Sequence, residues 1–594
     1  MLKSNIEFKN GTPYICIDGV LHAPLAYTTY FEERGEYADF INSGYKMFFV
    51  NVSFTDLPIN NTTGFTPFWT GVFETEVPDY AAFDATVRQI LALCPDAFIF
   101  PRINVAMPRK WIAEHPYETV ATPTGNRESM CSELFRLDGA MLLQTLVEHI
   151  RSSDYAHRIA GYQLCGGTTQ EWMHHDLFGS FSDMGLEKFR LYVQQKYGNE
   201  HPAVPTRADF KDGTNNETVS RYGAFCCETA ATTVCHFAKK LKEYICNEQI
   251  VGVFYGYHAF VNDYLWGLHG MRFLIDSPYI DFFSSPCAYD CNRNFGVDWG
   301  DMFATASVKL HGKLCFIECD IRTYLTRRMQ DARPGRYTDD FYGLYDAHGN
   351  KTVWCGPETA ELSLSALRKA FAHQLVNGSG IWWFDMWGGW YHDDVLLADL
   401  AKMKTLARAA EEKNSSQYPS AETVVFIDEA AYLNNPRGSD FTHCVNRTRL
   451  AMGNTGIPFD ILMTEDADKV LHKYKAAVFT APLPSESGKN AMVLCEKCNI
   501  PALLPDSAKS FFSTQELRDF LTENGVHCYN ADGNVIYCGR GFVGIHAVRD
   551  GEVTISLPAK YKVKPLFGAA FADCETENIK LFMQKYHTAV FELL

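Results

Sequence analysis

Along the chain, short runs of β-branched and aromatic residues alternate with longer stretches whose apolar positions recur at helical spacing, a pattern that predicts repeated βα units. Strands are predicted at 25–30, 47–52, 98–104, 159–164, 250–255, 280–284, 314–317 and 380–384. Helices are predicted between several of them, at 79–94, 186–197, 222–248 and 362–376. Eight strands with helical crossovers favour a closed (β/α)₈ barrel with long loops, and a doubly wound open sheet is the competing arrangement.

The pattern changes after a helix predicted at 394–413, so the barrel domain is expected to span 1–413. The polar stretch Asn414-Ser415-Ser416-Gln417-Tyr418-Pro419-Ser420 reads as a linker. Beyond it, predicted strands at 423–428, 459–463 and 476–481 alternate with helices at 444–452 and 489–498, which outlines a smaller open α/β domain over 420–530. Short β runs at 535–538, 543–548 and 553–557, split by Gly and Asp turns, predict a small β-sandwich over 531–594.

Composition narrows the class. With 594 residues the chain exceeds what one hydrophobic core organises, and 46% hydrophobic with 21% charged residues is the balance of an ordinary globular protein. A formal charge of −17 disfavours nucleic-acid and basic membrane-surface roles. Aromatic residues reach 14%, which suits sugar stacking but is equally consumed by a large core. The start, Met1-Leu2-Lys3-Ser4-Asn5-Ile6-Glu7, lacks the apolar region of a secretory signal, and no stretch has the length of a membrane span. Nineteen cysteines without such a signal read as reduced, mostly buried thiols of a cytoplasmic protein, in which the Asn61-Thr62-Thr63 triplet carries no glycan.

In a (β/α)₈ barrel, chemistry belongs to the C-terminal ends of the strands. Two carboxyls stand there: Glu171, after Gly161-Tyr162-Gln163-Leu164-Cys165-Gly166-Gly167-Thr168-Thr169-Gln170 on the fourth strand, and Glu318, closing Leu314-Cys315-Phe316-Ile317 on the seventh. An ionisable group at the end of an apolar strand is costly to bury unless the barrel mouth uses it. The alternative for each alone is a salt-bridged rim carboxylate.

An acid/base Glu after strand four and a nucleophilic Glu on strand seven resemble the clan A retaining β-glycosidases. The layout of barrel, flavodoxin-like domain and small β domain resembles the family 42 β-galactosidases and the related family 164 β-mannosidases. Supporting segments are Pro101-Arg102-Ile103-Asn104 with Pro108 and Trp111, and Trp382-Trp383-Phe384-Asp385-Met386-Trp387. Where the clan usually places Asn against the sugar 2-hydroxyl, immediately before the acid/base, this chain has Gln170. The resemblance implies double displacement on a small β-linked oligosaccharide, without metal or organic cofactor, and a homotrimer assembled through the middle domain.

Such chemistry needs one neutral and one ionised carboxyl about 5–5.5 Å apart. Glu171 must be raised in pKa to donate a proton, and Glu318 needs hydrogen-bond donors to stay ionised, with Arg102, Tyr289 and Arg322 the candidates. Trp383 is the candidate stacking platform, and Tyr257, His258 and Asp385 are candidate ligands of sugar hydroxyls.

Other motifs carry less. Gly539-Arg540-Gly541-Phe542-Val543-Gly544 fits a dinucleotide pattern but precedes β-like sequence rather than a helix. Cys495 and Cys498 have ligand spacing without a second pair, and Cys226-Cys227 and His174-His175 are adjacent residues, which rarely share an ion. A sugar-binding barrel without catalysis, a barrel transglycosylase and a metal-dependent barrel hydrolase are the competing readings. The last lacks His-x-His on the first strand, where Leu25-Ala26-Tyr27 stands.

Overall fold

A computed structural model of the chain describes residues 2–58, 70–210, 216–261, 263–289, 293–328, 331, 354–434, 443–506 and 511–594. The triplet Asn61-Thr62-Thr63 lies outside the described residues. Eight parallel strands close into a barrel in chain order: Leu25–Thr28, Met47–Ser53, Phe98–Asn104, Gly161–Cys165, Ile250–Val253, Phe282–Pro286, Leu314–Cys319 and Gly380–Phe384. The open-sheet alternative is thereby excluded. Each predicted strand is found, with ends shifted by up to two residues, and the seventh strand extends to include Glu318.

The outer helices start where side chains satisfy their first amides. Ser132, Ser182, Asn216 and Thr359 cap Glu133–Ser152, Asp183–Tyr197, Glu217–Tyr244 and Ala360–Asn377. Among the described residues no helix is long and apolar enough to cross a membrane.

The floor of the barrel is a sheet that the βα pattern does not predict. Ser4–Lys9, Thr12–Ile17 and Val20–His22 form an antiparallel sheet whose Ile15 and Ile17 pack with Ala26, Met47, Phe49 and Phe316 at the N-terminal ends of the strands. Ser4 ties it on, its hydroxyl donating to the Ala160 carbonyl at 2.5 Å and accepting from the Ile250 amide at 2.9 Å. The lower interior is aromatic: Phe49 stacks on Phe100 at 4.9 Å and on Trp382 at 5.5 Å between ring centroids. Much of the aromatic excess in the composition is thus consumed by core.

In the middle region the parallel strands Phe459–Met463, Thr423–Ile427, Ala476–Phe479 and Ala502–Leu503 lie in that spatial order, the first two inverted relative to the chain as in flavodoxin-like sheets. Its buried Glu429 reaches the barrel, accepting from the amides of Met271 (2.8 Å) and Arg272 (3.0 Å). The C-terminal region differs from the expected sandwich in detail. It is one continuous five-stranded antiparallel sheet, Val535–Gly539, Phe542–His546, Thr588–Leu593, Gly551–Phe567 and Cys574–Met583 in spatial order. A register shift between Ser556 and Tyr561 bends it, and a single core joins Ile545, Ala589 and Phe591 to Ile555, Ile579 and Leu581, so the sheet folds over on itself.

Candidate active site

Strand alternation builds the site. Phe49, Phe100 and Phe316 point into the barrel, so two residues on, Asn51, Arg102 and Glu318 point into it as well, and the interior turns from aromatic to polar within one layer. Gln163 is paired in register with Arg102 and adds to this layer from the fourth strand.

Glu318 is 2% exposed, and its Oε2 is buried without a hydrogen-bond donor. Burial pushes its pKa well above the ordinary carboxylate range; the Asp320 carboxylate adds to the rise, Arg102 opposes it, and Glu171 adds again. The expected donors are placed otherwise. Tyr289 donates to Asp320 Oδ2 at 2.7 Å, and Arg322 Nη1 donates to Asp320 Oδ2 and to its carbonyl, both at 2.7 Å. Arg293 completes the cluster at 2.5 Å from Asp320 Oδ1. Asp320, fully buried two residues beyond Glu318, therefore takes the partners assigned to Glu318 in the sequence reading, because it is the carboxylate those cations reach.

Glu171 rides on a strained loop. Thr169 (φ 55°), Gln170 (φ 74°) and Trp172 (φ 62°) all occupy the left-handed region, which costs non-glycine residues about 1–3 kcal/mol each. The turn is held by the Trp172 amide donating to the Gly166 carbonyl (2.7 Å), the Thr168 amide to Met173 (3.0 Å) and the Trp172 indole to Leu164 (3.2 Å). Glu171 as a residue is half-buried, but its Oε2 is buried without a hydrogen-bond donor, and burial raises its pKa to about 7 against hydrogen bonds from Thr169 and Tyr257 and the charge of Arg102. The Tyr257 hydroxyl lies 3.1 Å from Glu171 Oε1. Gln170 is buried, its Oε1 without a donor.

Arg102 sits among the rings of Phe254 (4.8 Å), Trp382 (5.0 Å), Tyr30 (5.2 Å) and Phe384 (5.9 Å), with Nε and Nη2 unpaired. Its charge acts on both carboxyls. Arg102, Gln170, Glu171, Tyr257 and Glu318 therefore come together at the barrel mouth, and Tyr289 and Arg322 join them through Asp320.

Three expectations are corrected. Trp383 points outward: it is fully buried between barrel and helices, and its indole donates to the Tyr45 hydroxyl at 2.9 Å, so it offers no face to a ligand in the barrel. Its neighbour Trp382, paired with Glu318 in register, faces inward instead. Asp385 is occupied by its own turn, accepting from the amides of Trp390 and Gly389 (both 2.9 Å) and from Tyr27 (3.1 Å). His258 is a link to the middle region: Nε2 accepts from the Ala304 amide (3.0 Å), so Nδ1 carries the proton and donates to Glu429 (2.9 Å). Among the described residues, Glu36, Asp39 and His392 have ligand-like spacing for a metal, but they lie on the partly exposed exterior.

No protein family profile matches the chain, and no curated protein matches it in sequence. Solved structures do match its fold. A β-galactosidase from Bacillus circulans sp. alkalophilus superposes with a TM-score of 0.61 at 11% identity, over 96% of this chain and 99% of that one. An exo-carrageenase GH42 from Bacteroides ovatus superposes with 0.62 at 13%, over 100% and 84%. An α-L-fucosidase from Paenibacillus thiaminolyticus gives 0.52 at 10%, over 96% and 99%. Likeness at this identity establishes a shared fold along nearly the whole chain.

Proposed function

We propose that the chain is a retaining exo-β-glycosidase acting on small β-linked oligosaccharides of β-galactoside or β-mannoside type. What supports this reading is that Glu318 on the seventh strand and Glu171 on the loop after the fourth both feel the charge of Arg102, which lies among aromatic rings. The named activities of the structural neighbours agree with it in class, glycoside cleavage, while differing in sugar.

In this reading Glu318 attacks the anomeric carbon as Glu171 passes its proton to the leaving oxygen. Water, deprotonated by Glu171, then releases the sugar from Glu318. Burial raises both carboxyls, and Glu171, at about 7, is suited to exchange a proton near neutral pH. Arg102 opposes the rise at Glu318. The region around the four-stranded parallel sheet serves assembly, for which a homotrimer in the cytoplasm is the proposed form.

The test is nitrophenol release from a panel of α- and β-linked aryl glycosides by wild type and Glu318→Ala. Turnover of one β-glycoside, reduced at least about 10³-fold in the variant, is the expected result. Turnover that survives the substitution removes Glu318 from the mechanism, and light scattering at the mass of a monomer removes the trimer.

A further inference from the structure

His174 and His175 follow Glu171 closely in the chain and take no part in the chemistry above, yet both are buried and brace the loop that carries it. The turn's own bonds, from Trp172 to Gly166 and from Thr168 to Met173, close it without fixing where it points. His174 ties it to the rest of the barrel. Its amide donates to the Trp266 carbonyl at 3.0 Å. Its Nε2 lies 2.9 Å from the Cys226 carbonyl in the helix Glu217–Tyr244, and its Nδ1 lies 2.9 Å from Ser180 Oγ. A carbonyl only accepts, so Nε2 carries the proton and Nδ1 accepts from the Ser180 hydroxyl, which leaves a single tautomer.

The surroundings are shaped to this ring. Gly267 has φ 86°, and a Cβ there would stand 2.7 Å from His174 Cδ2, so the backbone approaches the imidazole as closely as glycine alone allows. Tyr257, whose hydroxyl lies 3.1 Å from Glu171 Oε1, and Trp266, which accepts from His174, belong to the same loop after the fifth strand. The two contacts together set Glu171 against its hydrogen-bond partner. On the other side, His175 Nε2 donates at 3.0 Å to Oε1 of Glu128, which ends the hairpin of Thr119–Thr122 and Gly125–Glu128. Burial holds His174 down at about 4, so the ring is neutral where Glu171 exchanges its proton. With both nitrogens engaged, the ring is no acid or base toward the sugar itself. Thr169, Gln170 and Trp172 all occupy the left-handed region, and a turn strained in this way persists only where its surroundings over-determine it.

We propose that His174 is a positioning residue for proton transfer: through Cys226, Ser180 and Trp266 it fixes the turn so that the Glu171 carboxyl meets the leaving oxygen. The inference rests on the glycosidase reading above and adds to it the residue that aims its acid/base.

Matched dinitrophenyl and phenyl β-D-galactopyranosides and β-D-mannopyranosides test it. Dinitrophenolate departs without protonation, whereas phenolate needs the proton of a well-placed acid. His174→Phe keeps a ring and gives up both of its hydrogen bonds. It is expected to lose about 10–100-fold in kcat/KM on the phenyl glycoside and less than about 3-fold on the dinitrophenyl glycoside. On the latter, kcat and KM are expected to fall together, because water activation by Glu171 slows. His174→Gln, which retains a donor toward Cys226, is expected to recover part of the phenyl activity. Ser180→Ala leaves the ring in place and is expected to shift the ratio of the two substrates by about 3–10-fold in the same direction, which carries the test should His174→Phe not fold. The ratio is taken on one enzyme sample, so inactive protein cancels from it. Equal loss on both aglycones, or a ratio unchanged in these variants, overturns the role and leaves the glycosidase reading intact. Wild type that turns over neither sugar with either aglycone defeats the glycosidase reading, and this role falls with it.

Discussion

Replacing Glu171 by Gln tests the electrostatics of the site through stability as well as rate. The folded carboxyl titrates at about 7 against an ordinary 4.5, chiefly because burial disfavours its charge. A raised carboxyl pKa means that the folded state binds more protons than the unfolded state between these values. Stability therefore falls as pH rises through that window, by at most about 3 kcal/mol at 1.36 kcal/mol per pKa unit. Partial exposure of Glu171 trims this to about 1–2 kcal/mol. Gln is neutral at every pH and escapes the penalty, so Glu171→Gln is expected to match wild type near pH 4.5 and to exceed it by about 1–2 kcal/mol at pH 8, while losing at least about 10³-fold in kcat. Urea denaturation across pH 4.5–8, followed by tryptophan fluorescence, measures the gap. A gap that is constant with pH, or one that widens toward acid, refutes the argument that burial holds this carboxyl high.

Three further substitutions separate roles within the site. Tyr257→Phe removes a hydrogen bond that favours the ionised Glu171, so the basic limb of the kcat/KM profile is expected to move up by about one pH unit; a downward move would assign the hydroxyl to the neutral form. Asp320→Asn leaves Arg293 and Arg322 with a neutral partner in a buried cluster, and a loss of about 3–5 kcal/mol in denaturation is expected, whereas an unchanged midpoint would show that the cluster adds nothing. Trp383→Phe gives up the Tyr45 contact and some packing, so stability should fall by about 1–2 kcal/mol with KM unchanged; a several-fold rise in KM would return this residue to the sugar site.

Legibility in the sequence followed locality. The eight strands and the long helices are legible because apolar runs are local patterns, and the same patterns put Glu171 and Glu318 at or just past strand ends. Trp383 failed by one residue. Alternation counted from Glu318, whose register partner is Trp382, sends even-numbered side chains of the eighth strand inward and Trp383 outward, but that register is a property of the closed barrel. Asp385 and His258 are at strand ends as expected, yet their partners lie at Tyr27, Trp390 and Glu429, distances in sequence that no local pattern reports. Asp320 was in view two residues beyond Glu318. What identifies it is the convergence of Tyr289, Arg293 and Arg322, which only tertiary structure brings about. The strain around Glu171 is equally invisible, since Thr169, Gln170 and Trp172 have no sequence preference for a left-handed backbone.

The central claim is that Glu318 forms a bond to sugar, and azide rescue tests it most directly. Glu318→Gly, given an activated aryl β-glycoside and sodium azide, should regain turnover and release the α-glycosyl azide, because azide enters from the face that the carboxylate occupied. No rescue, or release of the β-glycosyl azide, would contradict the assignment of Glu318 as the nucleophile.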